Sequence, residues 1–252
     1  MSRDARILSP SGIYHVLLRG INRQNIFEDD DDRYGFLKIL ATVKKTSGFK
    51  LLCYCLMDNH VHLLLLTGEE PLGQVLKRIA VRYALRFNAK YERNGHLFQD
   101  RYKSEPILQE SYLLAAVRYI CQNPLKARLC KAPQDYIWSS TQEYLKISNG
   151  CTDTEMVLSP FGHTIPAQVD AFAEFLKGIT DESFLDYDSG RRKDSELKTL
   201  LHDMCDCDSA SDFQTLDTVK RDIYLHRFKK YGFSMRQIAR ITGIPFGVVR
   251  RI

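Results

Sequence analysis

The apolar residues at positions 10–125 recur with two periods along the chain. Alternating apolar residues predict strands, whereas apolar residues three or four positions apart predict helices. In Ile13–Gly20, for instance, Tyr14, Val16 and Leu18 fall on one face of a strand. The predicted elements are, in order, a strand at Ile13–Gly20, a helix from Asp29 to Ser47, strands at Phe49–Leu56 and His60–Thr67, a helix from Pro71 to Tyr91, a less regular strand at 96–108 and a helix at Glu110–Gln122 that Asn123-Pro124 ends.

This order of elements predicts an α+β domain over residues 1–148. Strand, helix, strand, strand, helix, strand is the split β-α-β order of ferredoxin-like folds, in which helices cover one side of an antiparallel sheet. The run from Leu56 to Leu66 is apolar on both sides of His60-Val61-His62. A strand of this kind is expected in the interior of the sheet, with both faces buried.

The remaining residues divide into two segments of different character. In the acidic segment 149–219, Phe172, Phe175 and Leu176 indicate one short helix, and residues 186–194 are polar like a linker. The segment 220–252 is basic and has its own helical pattern. We therefore predict an acidic helical and linker segment followed by a small helical segment.

The C-terminal pattern is typical of a helix-turn-helix. Ser234 can cap a helix at Met235–Arg240, and Thr242-Gly243-Ile244 can turn the chain. Pro245 then opens a last helix, with Val248 or Val249 inward and Arg250 and Arg251 outward. The alternative is an ordinary helical hairpin without a DNA-binding role.

Charge is strongly partitioned along the chain, although its formal net value is only +5. Residues 71–131 carry twelve Lys/Arg against four Asp/Glu, and residues 220–252 carry nine against one. Residues 132–219 carry six against seventeen. Two basic blocks separated by an acidic one favour a nucleic acid as the partner.

The cysteines and the apolar runs bear on the cellular compartment. The seven cysteines are odd in number and include no Cys-x-x-Cys pair, which is typical of reduced thiols. No apolar run is long enough to span a membrane, and residues 1–10 lack the apolar core of a signal peptide. We expect a cytoplasmic protein that does not contact a membrane.

His60 and His62 are the strongest candidates for chemistry. Side chains two positions apart on a strand project from the same face, so both imidazoles can bind one divalent cation. Burying two imidazoles among leucines costs several kcal/mol unless their nitrogens are satisfied. A metal site and a pair of core histidines bonded to backbone carbonyls are both consistent with this pattern.

Tyr119 and Asn123 lie one turn apart on the helix that follows. A tyrosine phenol can attack phosphorus and form a covalent phosphotyrosine, and an amide oxygen can add a third ligand to a histidine pair. Tyrosines on amphipathic helices are more often core or rim residues. Tyr112, on the same helix, is expected to be such an incidental tyrosine.

Four ordered motifs resemble the HUH-type single-tyrosine transposases, in particular the REP-associated tyrosine transposases. The resemblance covers residues 10–145. The motifs are Met57-Asp58-Asn59-His60-Val61-His62-Leu63, Gly95-His96-Leu97-Phe98-Gln99-Asp100-Arg101-Tyr102-Lys103-Ser104, Tyr112-Leu113-Leu114-Ala115-Ala116-Val117-Arg118-Tyr119-Ile120-Cys121-Gln122-Asn123-Pro124 and Trp138-Ser139-Ser140.

The resemblance implies both an activity and a site. It implies a ferredoxin-like catalytic domain at 1–148 that cleaves and rejoins single-stranded DNA with a divalent metal, Mg or Mn. Tyr119 would be the nucleophile and would leave a 5′-phosphotyrosine and a free 3′-hydroxyl. His60 and His62 match the metal pair. Asn123 stands where some relatives carry Gln as a further ligand.

The second motif mixes cations with aromatic residues, as single-stranded nucleic-acid sites do. A strand with an alternating solvated face is the alternative, and His96 could equally be structural. The DNA is expected to form hairpins or to be a repetitive palindromic element, and the protein to act as a monomer or a homodimer. The residues predicted to bind DNA are His96, Phe98, Arg101, Tyr102, Lys103, Arg118, Arg250 and Arg251.

Two other functions compete with a transposase. A non-catalytic DNA-binding regulator derived from a transposase would use only the basic surfaces. A metal phosphodiesterase would act with water and would form no protein–DNA adduct.

Overall fold

The computed structural model describes residues 8–99, 102–178, 184, 194–207, 209–231, 233 and 235–251. Contacts divide the chain into two compact units, Met1–Asp186 and Tyr187–Ile252. Among the described residues, no helix is both long enough and apolar enough to cross a membrane.

The first unit is built on a four-stranded antiparallel sheet in the order β2-β3-β1-β4. The interior position predicted for the histidine strand is confirmed, because β3 lies between β2 and β1 and its residues 61–65 are buried. The strands are β1 (Ile13–Arg19), β2 (Lys50–Met57), β3 (His60–Leu66) and β4 (Lys103–Pro106).

The fourth strand is shorter than the predicted 96–108. Only four residues pair with β1, from Lys103 to Pro106, and Phe98 adds an isolated bridge to Gly20. Pro106 has no backbone N–H to donate, so it suits the end of an edge strand. The predicted region is thus a short edge strand preceded by irregular backbone.

The described part of the first unit contains six α-helices, and the two long ones before β4 cover one face of the sheet. Asp29 caps the first of them by accepting from the Asp32 amide, and Gly48 ends it with a φ of 68°. The helices are α1 (Asp30–Ser47), α2 (Leu72–Lys90), α3 (Glu110–Lys126), α4 (Thr141–Tyr144), α5 (Glu155–Leu158) and α6 (Ile165–Phe175).

Alternation along β1 separates two cores. Tyr14, Val16 and Leu18 belong to the core formed with α1 and α2, whereas Ile13 belongs to the core formed with α3. The predicted ferredoxin-like α+β class is confirmed, with α1 and α2 together on one side. The additional helix α3 covers the opposite face and brings its side chains onto the face of the two histidines.

The predicted end of α3 at Asn123-Pro124 is wrong, because the helix continues to Lys126 with Pro124 inside it. A proline removes only its own N–H, and near a helix end that loss affects a single bond. The next turn is kept by bonds from Ala127 N to Asn123 O (3.0 Å) and from Leu129 N to Pro124 O (2.9 Å). Asn123 therefore stays in helical register with Tyr119.

Part of the predicted acidic segment packs on α3. Val157, Leu158, Phe172 and Leu176 are buried in the α3 core, and the predicted short helix is confirmed as α6. The predicted linker at 186–194 lies outside the described residues except for Asp194, which begins α7.

The second unit is helical in its described residues and has a separate apolar core. The helices are α7 (Asp194–Cys205), α8 (Ala210–Thr215), α9 (Thr218–Lys230), α10 (Met235–Thr242) and α11 (Phe246–Arg251). The fully or almost fully buried residues of its core are Leu197, Leu201, Cys207, Phe213, Leu225, Phe228, Phe233, Ile238, Ile244 and Val249.

Helices α10 and α11 occupy the positions predicted for the helix-turn-helix. Gly243 turns the chain with a φ of 67°, and Val249 is buried while Arg250 and Arg251 are exposed. Helix α10 runs two residues past the predicted Arg240, because Thr242 donates its hydroxyl to Ile238 O and extends the last turn. The predicted cap Ser234 lies outside the described residues. A DNA-binding role for this helix pair stays a prediction.

Candidate active site

The two histidines of β3 project from the sheet face that α3 covers. Their ring centroids are 5.0 Å apart at an interplanar angle of 84°, while Val61 between them belongs to the α1–α2 core. His62 is fully buried and His60 is half-buried at the strand end. The alternation predicted from the sequence therefore places both imidazoles at one edge of the α3 core.

The ring nitrogens of this pair contact side chains from the turn between β2 and β3, from β1 and from α3. His60 Nδ1 lies 2.6 Å from Asn59 Oδ1, so it carries the proton and donates. His62 Nδ1 lies 2.9 Å from His15 Nε2, and His62 Nε2 lies 3.3 Å from Asn123 Nδ2. The expected alternative of bonds to backbone carbonyls does not describe these contacts.

Helix α3 brings Tyr119 against the buried histidines. The Tyr119 ring is 5.8 Å from the His62 ring and 6.0 Å from the His15 ring, edge-on in both cases. Phe184 lies against its other side at 4.8 Å between centroids. Tyr119 is consequently only 7% exposed.

A lysine one turn past Asn123 faces the same tyrosine. Lys126 Nζ is 4.6 Å from the centroid of the Tyr119 ring, a cation–π distance. Burial lowers the pKa of Lys126, because a desolvated ammonium is less stable than a hydrated one. The phenol of Tyr119 is thus next to a partly desolvated cation.

The donor set fits a divalent metal. The contact at His60 leaves Nε2 as the lone-pair nitrogen, and rotation of the Asn123 amide presents Oδ1 in place of Nδ2. Ligand atoms on neighbouring positions of an octahedral Mg²⁺ lie about 3 Å apart, close to the 3.3 Å between His62 Nε2 and the Asn123 amide. His60, His62 and Asn123 are the side chains that would hold such an ion, and the Tyr119 ring lies beside His62.

Four residues without a local sequence signal join this face of the sheet. Arg19 is directly opposite His60 in the β1–β3 register, and His15 pairs with Glu105 in the β1–β4 register. Asn59 completes the set through its contact with His60. The alternation of β1 predicts which face His15 occupies, but only the pairing of strands distant in sequence brings it to His62.

The residues predicted to bind DNA fall into separate groups. His96 and Lys103 are exposed, whereas Phe98 and Tyr102 are partly buried against the α1–α2 core. Arg101 lies outside the described residues. These positions make His96 and Lys103 the more accessible members of the predicted set.

The other three residues predicted to bind DNA, Arg118, Arg250 and Arg251, also differ in their exposure. The Arg118 guanidinium stacks 3.8 Å from the centroid of Phe175, so packing on α6 accounts for its position without DNA. Arg250 and Arg251 are exposed on the second unit. The DNA contacts of all these residues stay predictions.

The acidic run at the start of α1 has an ammonium as its counter-ion. Lys90 Nζ lies 2.7 Å from Asp29, 2.9 Å from Asp32 and 3.3 Å from Asp31. Their carboxylate oxygens lie close together, but a lysine at their centre supplies the positive charge that a metal would supply. This cluster stabilises the contact between α1 and α2.

Comparison with known protein families gives a match over the part of the chain that contains the site. Residues 9–123 match the sequence model of the family described as Transposase IS200 like. The match extends from before β1 through Asn123, so it includes both histidines and Tyr119. No curated protein matches the sequence. The predicted resemblance is confirmed, because residues 9–123 of the first unit are similar in sequence to the IS200-like transposases.

Two solved structures are similar to this chain. A REP-associated tyrosine transposase, described as bound to a REP hairpin, is 18% identical with a TM-score of 0.50, over 61% of this chain and 94% of that one. At this identity the likeness concerns the fold. A candidate transposase from Deinococcus radiodurans is 19% identical with a TM-score of 0.35, over 50% of this chain and 97% of that one.

Proposed function

We propose that the chain cleaves and rejoins single-stranded DNA through a covalent intermediate on Tyr119, with a divalent metal. The observation that carries this proposal is the position of the Tyr119 ring beside His62, whose Nε2 is 3.3 Å from the Asn123 amide. The match of residues 9–123 to the sequence model of a transposase family supports the same chemistry.

In the proposed step, the Tyr119 phenol oxygen attacks a backbone phosphorus of the DNA. A bond forms between this oxygen and phosphorus, and the bond from phosphorus to the 3′-oxygen of the preceding nucleotide breaks. The phenol proton ends, in net terms, on the released 3′-hydroxyl. The 5′-phosphate stays on Tyr119, and attack by a 3′-hydroxyl reverses the step and rejoins the strand.

His60, His62 and Asn123 would hold the metal, Mg or Mn. When bound, it would act as a Lewis acid on the scissile phosphate. Lys126, whose Nζ is 4.6 Å from the centroid of the Tyr119 ring, would offset negative charge that develops on the phenol. Burial of His62 and Tyr119 limits water at the reacting atoms, which strengthens these electrostatic contributions.

The proposed substrate is DNA that contains a hairpin or a palindromic repeat. Lys103 and Arg19 lie on the sheet face of the histidines and can neutralise phosphates. The similar structure described with a REP hairpin supports this substrate class.

We propose in addition that α10 and α11 form a DNA-binding helix-turn-helix, and that the protein acts as a monomer or a homodimer.

The test is adduct formation on labelled oligonucleotides, with Mg²⁺ or Mn²⁺ and without them. The wild type is expected to form a denaturation-resistant adduct whose tryptic peptide contains Tyr119. Tyr119→Phe removes only the phenol oxygen, so it should lose at least about 100-fold in cleavage rate while DNA binding stays within about twofold.

Tyr34→Phe is the matched control, because Tyr34 is an exposed tyrosine of α1 on the other side of the sheet. This variant should cleave like the wild type. Cleavage without an adduct would favour the water-dependent phosphodiesterase. DNA binding without cleavage in any metal would favour the non-catalytic regulator.

A further inference from the structure

A series of side chains connects the surface of β4 to the buried histidine of the site. Tyr112 donates its hydroxyl to Glu105 Oε1 at 2.6 Å. The other carboxylate oxygen, Glu105 Oε2, lies 3.9 Å from His15 Nδ1. His15 Nε2 then lies 2.9 Å from His62 Nδ1. These contacts run in one direction across the sheet, from an edge strand to the central strand.

Strand register explains why these residues meet. His15 of β1 is directly opposite Glu105 of β4, and Leu17, two positions on, is directly opposite His62 of β3. The side chains of His15, Glu105 and His62 therefore project from the face that α3 covers. His15 and His62 are both fully buried, so water does not compete for the bond between them.

The bond between His15 and His62 has two possible directions when both rings are neutral. If His15 Nε2–H donates, His62 must carry its own proton on Nε2, which removes the lone pair needed by a metal. If His62 Nδ1–H donates, its Nε2 keeps its lone pair, which is directed toward Asn123 and is able to bind a metal. Only the second arrangement is compatible with the proposed ligand role of His62.

Glu105 selects the second arrangement. When His15 Nε2 accepts, the His15 proton is on Nδ1, which is the nitrogen that faces the carboxylate. In the opposite arrangement, the lone pair of Nδ1 would face the negative charge of Glu105. A buried site of low dielectric amplifies this difference.

We propose that Glu105 and His15 are positioning residues that hold His62 in the tautomer with its proton on Nδ1 and its Nε2 lone pair toward Asn123. Tyr112 supports them by holding the Glu105 carboxylate. Metal-binding histidines commonly donate their second N–H to a carboxylate or carbonyl, and here a second histidine is inserted between the two. The proposal rests on the proposed metal role of His62.

The first test measures the tautomer directly in metal-free protein. In full-length protein labelled with ¹⁵N-histidine, long-range ¹H–¹⁵N spectra should identify Nδ1 of His62 as the protonated nitrogen in the wild type. Glu105→Gln removes the charge but keeps an oxygen that can accept from Tyr112. We expect this variant to populate the other tautomer of His62 measurably. A His62 proton on Nε2 in the wild type would overturn the proposal.

The second test measures Mn²⁺ affinity by electron paramagnetic resonance. Loss of a group that orients a metal ligand typically weakens binding 10–100-fold, so Glu105→Gln should raise the Kd about tenfold and His15→Phe at least as much. His15→Gln should restore most of the affinity, because its amide oxygen can accept from His62. Unchanged affinity in Glu105→Gln and His15→Phe would contradict the proposal.

The matched control is Glu174→Gln, which removes the charge of an exposed α6 carboxylate that pairs with Lys177, two residues past the end of that helix. It should change neither the tautomer nor the affinity. If His15→Phe fails to fold, Glu105→Gln decides the question, because Glu105 is at the sheet edge and 28% exposed. If the wild type binds no Mn²⁺, the metal role in the proposed function is wrong. The tautomer of His62 measured in metal-free protein still tests the positioning role of Glu105 and His15.

Discussion

At the scale of single residues, the two histidines of β3 have different surroundings. His60 is half-buried and contacts Asn59 of the preceding turn, whereas His62 is fully buried between His15 and Asn123. A change at His60 therefore removes a ligand at the edge of the core. A change at His62 also removes the partner of a buried ring.

This difference predicts different effects of the two alanine variants on stability. Both His60→Ala and His62→Ala should abolish metal-dependent cleavage, because each removes one of two imidazole ligands. His62→Ala should also lower the free energy of unfolding by about 1–3 kcal/mol, since it leaves His15 unsatisfied. His60→Ala should lower it by less than about 1 kcal/mol.

Urea unfolding and cleavage assays on the same preparations check both expectations. His163→Ala, at an exposed position, is the control and should match the wild type in each assay. Cleavage at the wild-type rate in His60→Ala or His62→Ala would remove that residue from the mechanism.

The sequence predicts His60, His62, Tyr119 and Asn123 because each pair has a spacing within one strand or one helix. Two-residue spacing on a strand and four-residue spacing on a helix determine which side chains share a face. His15 has no such local partner. Its contacts depend on the β1–β3 and β1–β4 registers, which a single sequence does not specify.

At the scale of elements, Lys90 joins the end of α2 to the start of α1. Its ammonium donates to Asp29 and Asp32, and the hydrogen bond from Lys90 is the largest contribution that lowers the pKa of Asp29. Desolvation opposes the charge of Lys90, but its bonds to the carboxylates prevail and raise its pKa.

Lys90→Met is expected to lower the midpoint of thermal unfolding at pH 7, where the carboxylates are charged. A carboxyl whose pKa is lowered by folding contributes stability above its ordinary value of 3.8 and loses it as pH falls through the folded pKa. The difference between wild type and variant should therefore shrink from pH 7 to pH 3.

Calorimetry at the two pH values measures this difference. Lys177→Met is the control. Lys177 pairs with Glu174 and is more exposed than Lys90, so its loss should have little effect at either pH. A Lys90→Met deficit of the same size at both pH values would mean that packing, rather than charge, accounts for the contribution of Lys90.

Element boundaries were predicted least well where one local rule dominated. Asn123-Pro124 reads as a helix end, but tertiary packing keeps Ile120 and Cys121 buried and the helix continues. The strand predicted at 96–108 is observed over only four residues. It is an edge strand, and its ladder with β1 involves only Lys103–Pro106. The long elements with clear periodicity, such as α1, α2 and β3, were predicted closely.

At the scale of the whole molecule, the two basic blocks of the sequence lie in different compact units. The basic block at 71–131 includes β4 and α3 of the first unit, and the basic block at 220–252 includes α9–α11 of the second. Removing residues 220–252 would cut through the second core, which combines α7 and α8 with α9–α11. Substitutions in the full chain therefore test the DNA role of this unit better than truncation does.

The exposed pair Arg250 and Arg251 allows that test, because neither side chain is part of the second core. If both contact phosphates, Arg250→Gln combined with Arg251→Gln should weaken DNA binding and reduce the slope of log affinity against log salt by about two units. Fluorescence anisotropy with a hairpin oligonucleotide between about 50 and 200 mM salt measures the slope. Lys38→Gln combined with Lys45→Gln removes two exposed charges from α1, away from the histidine face, and should leave the slope unchanged. Equal slopes for the arginine variant and the wild type would mean that the second unit binds something other than DNA, or that its contacts to DNA lie elsewhere than at the end of α11.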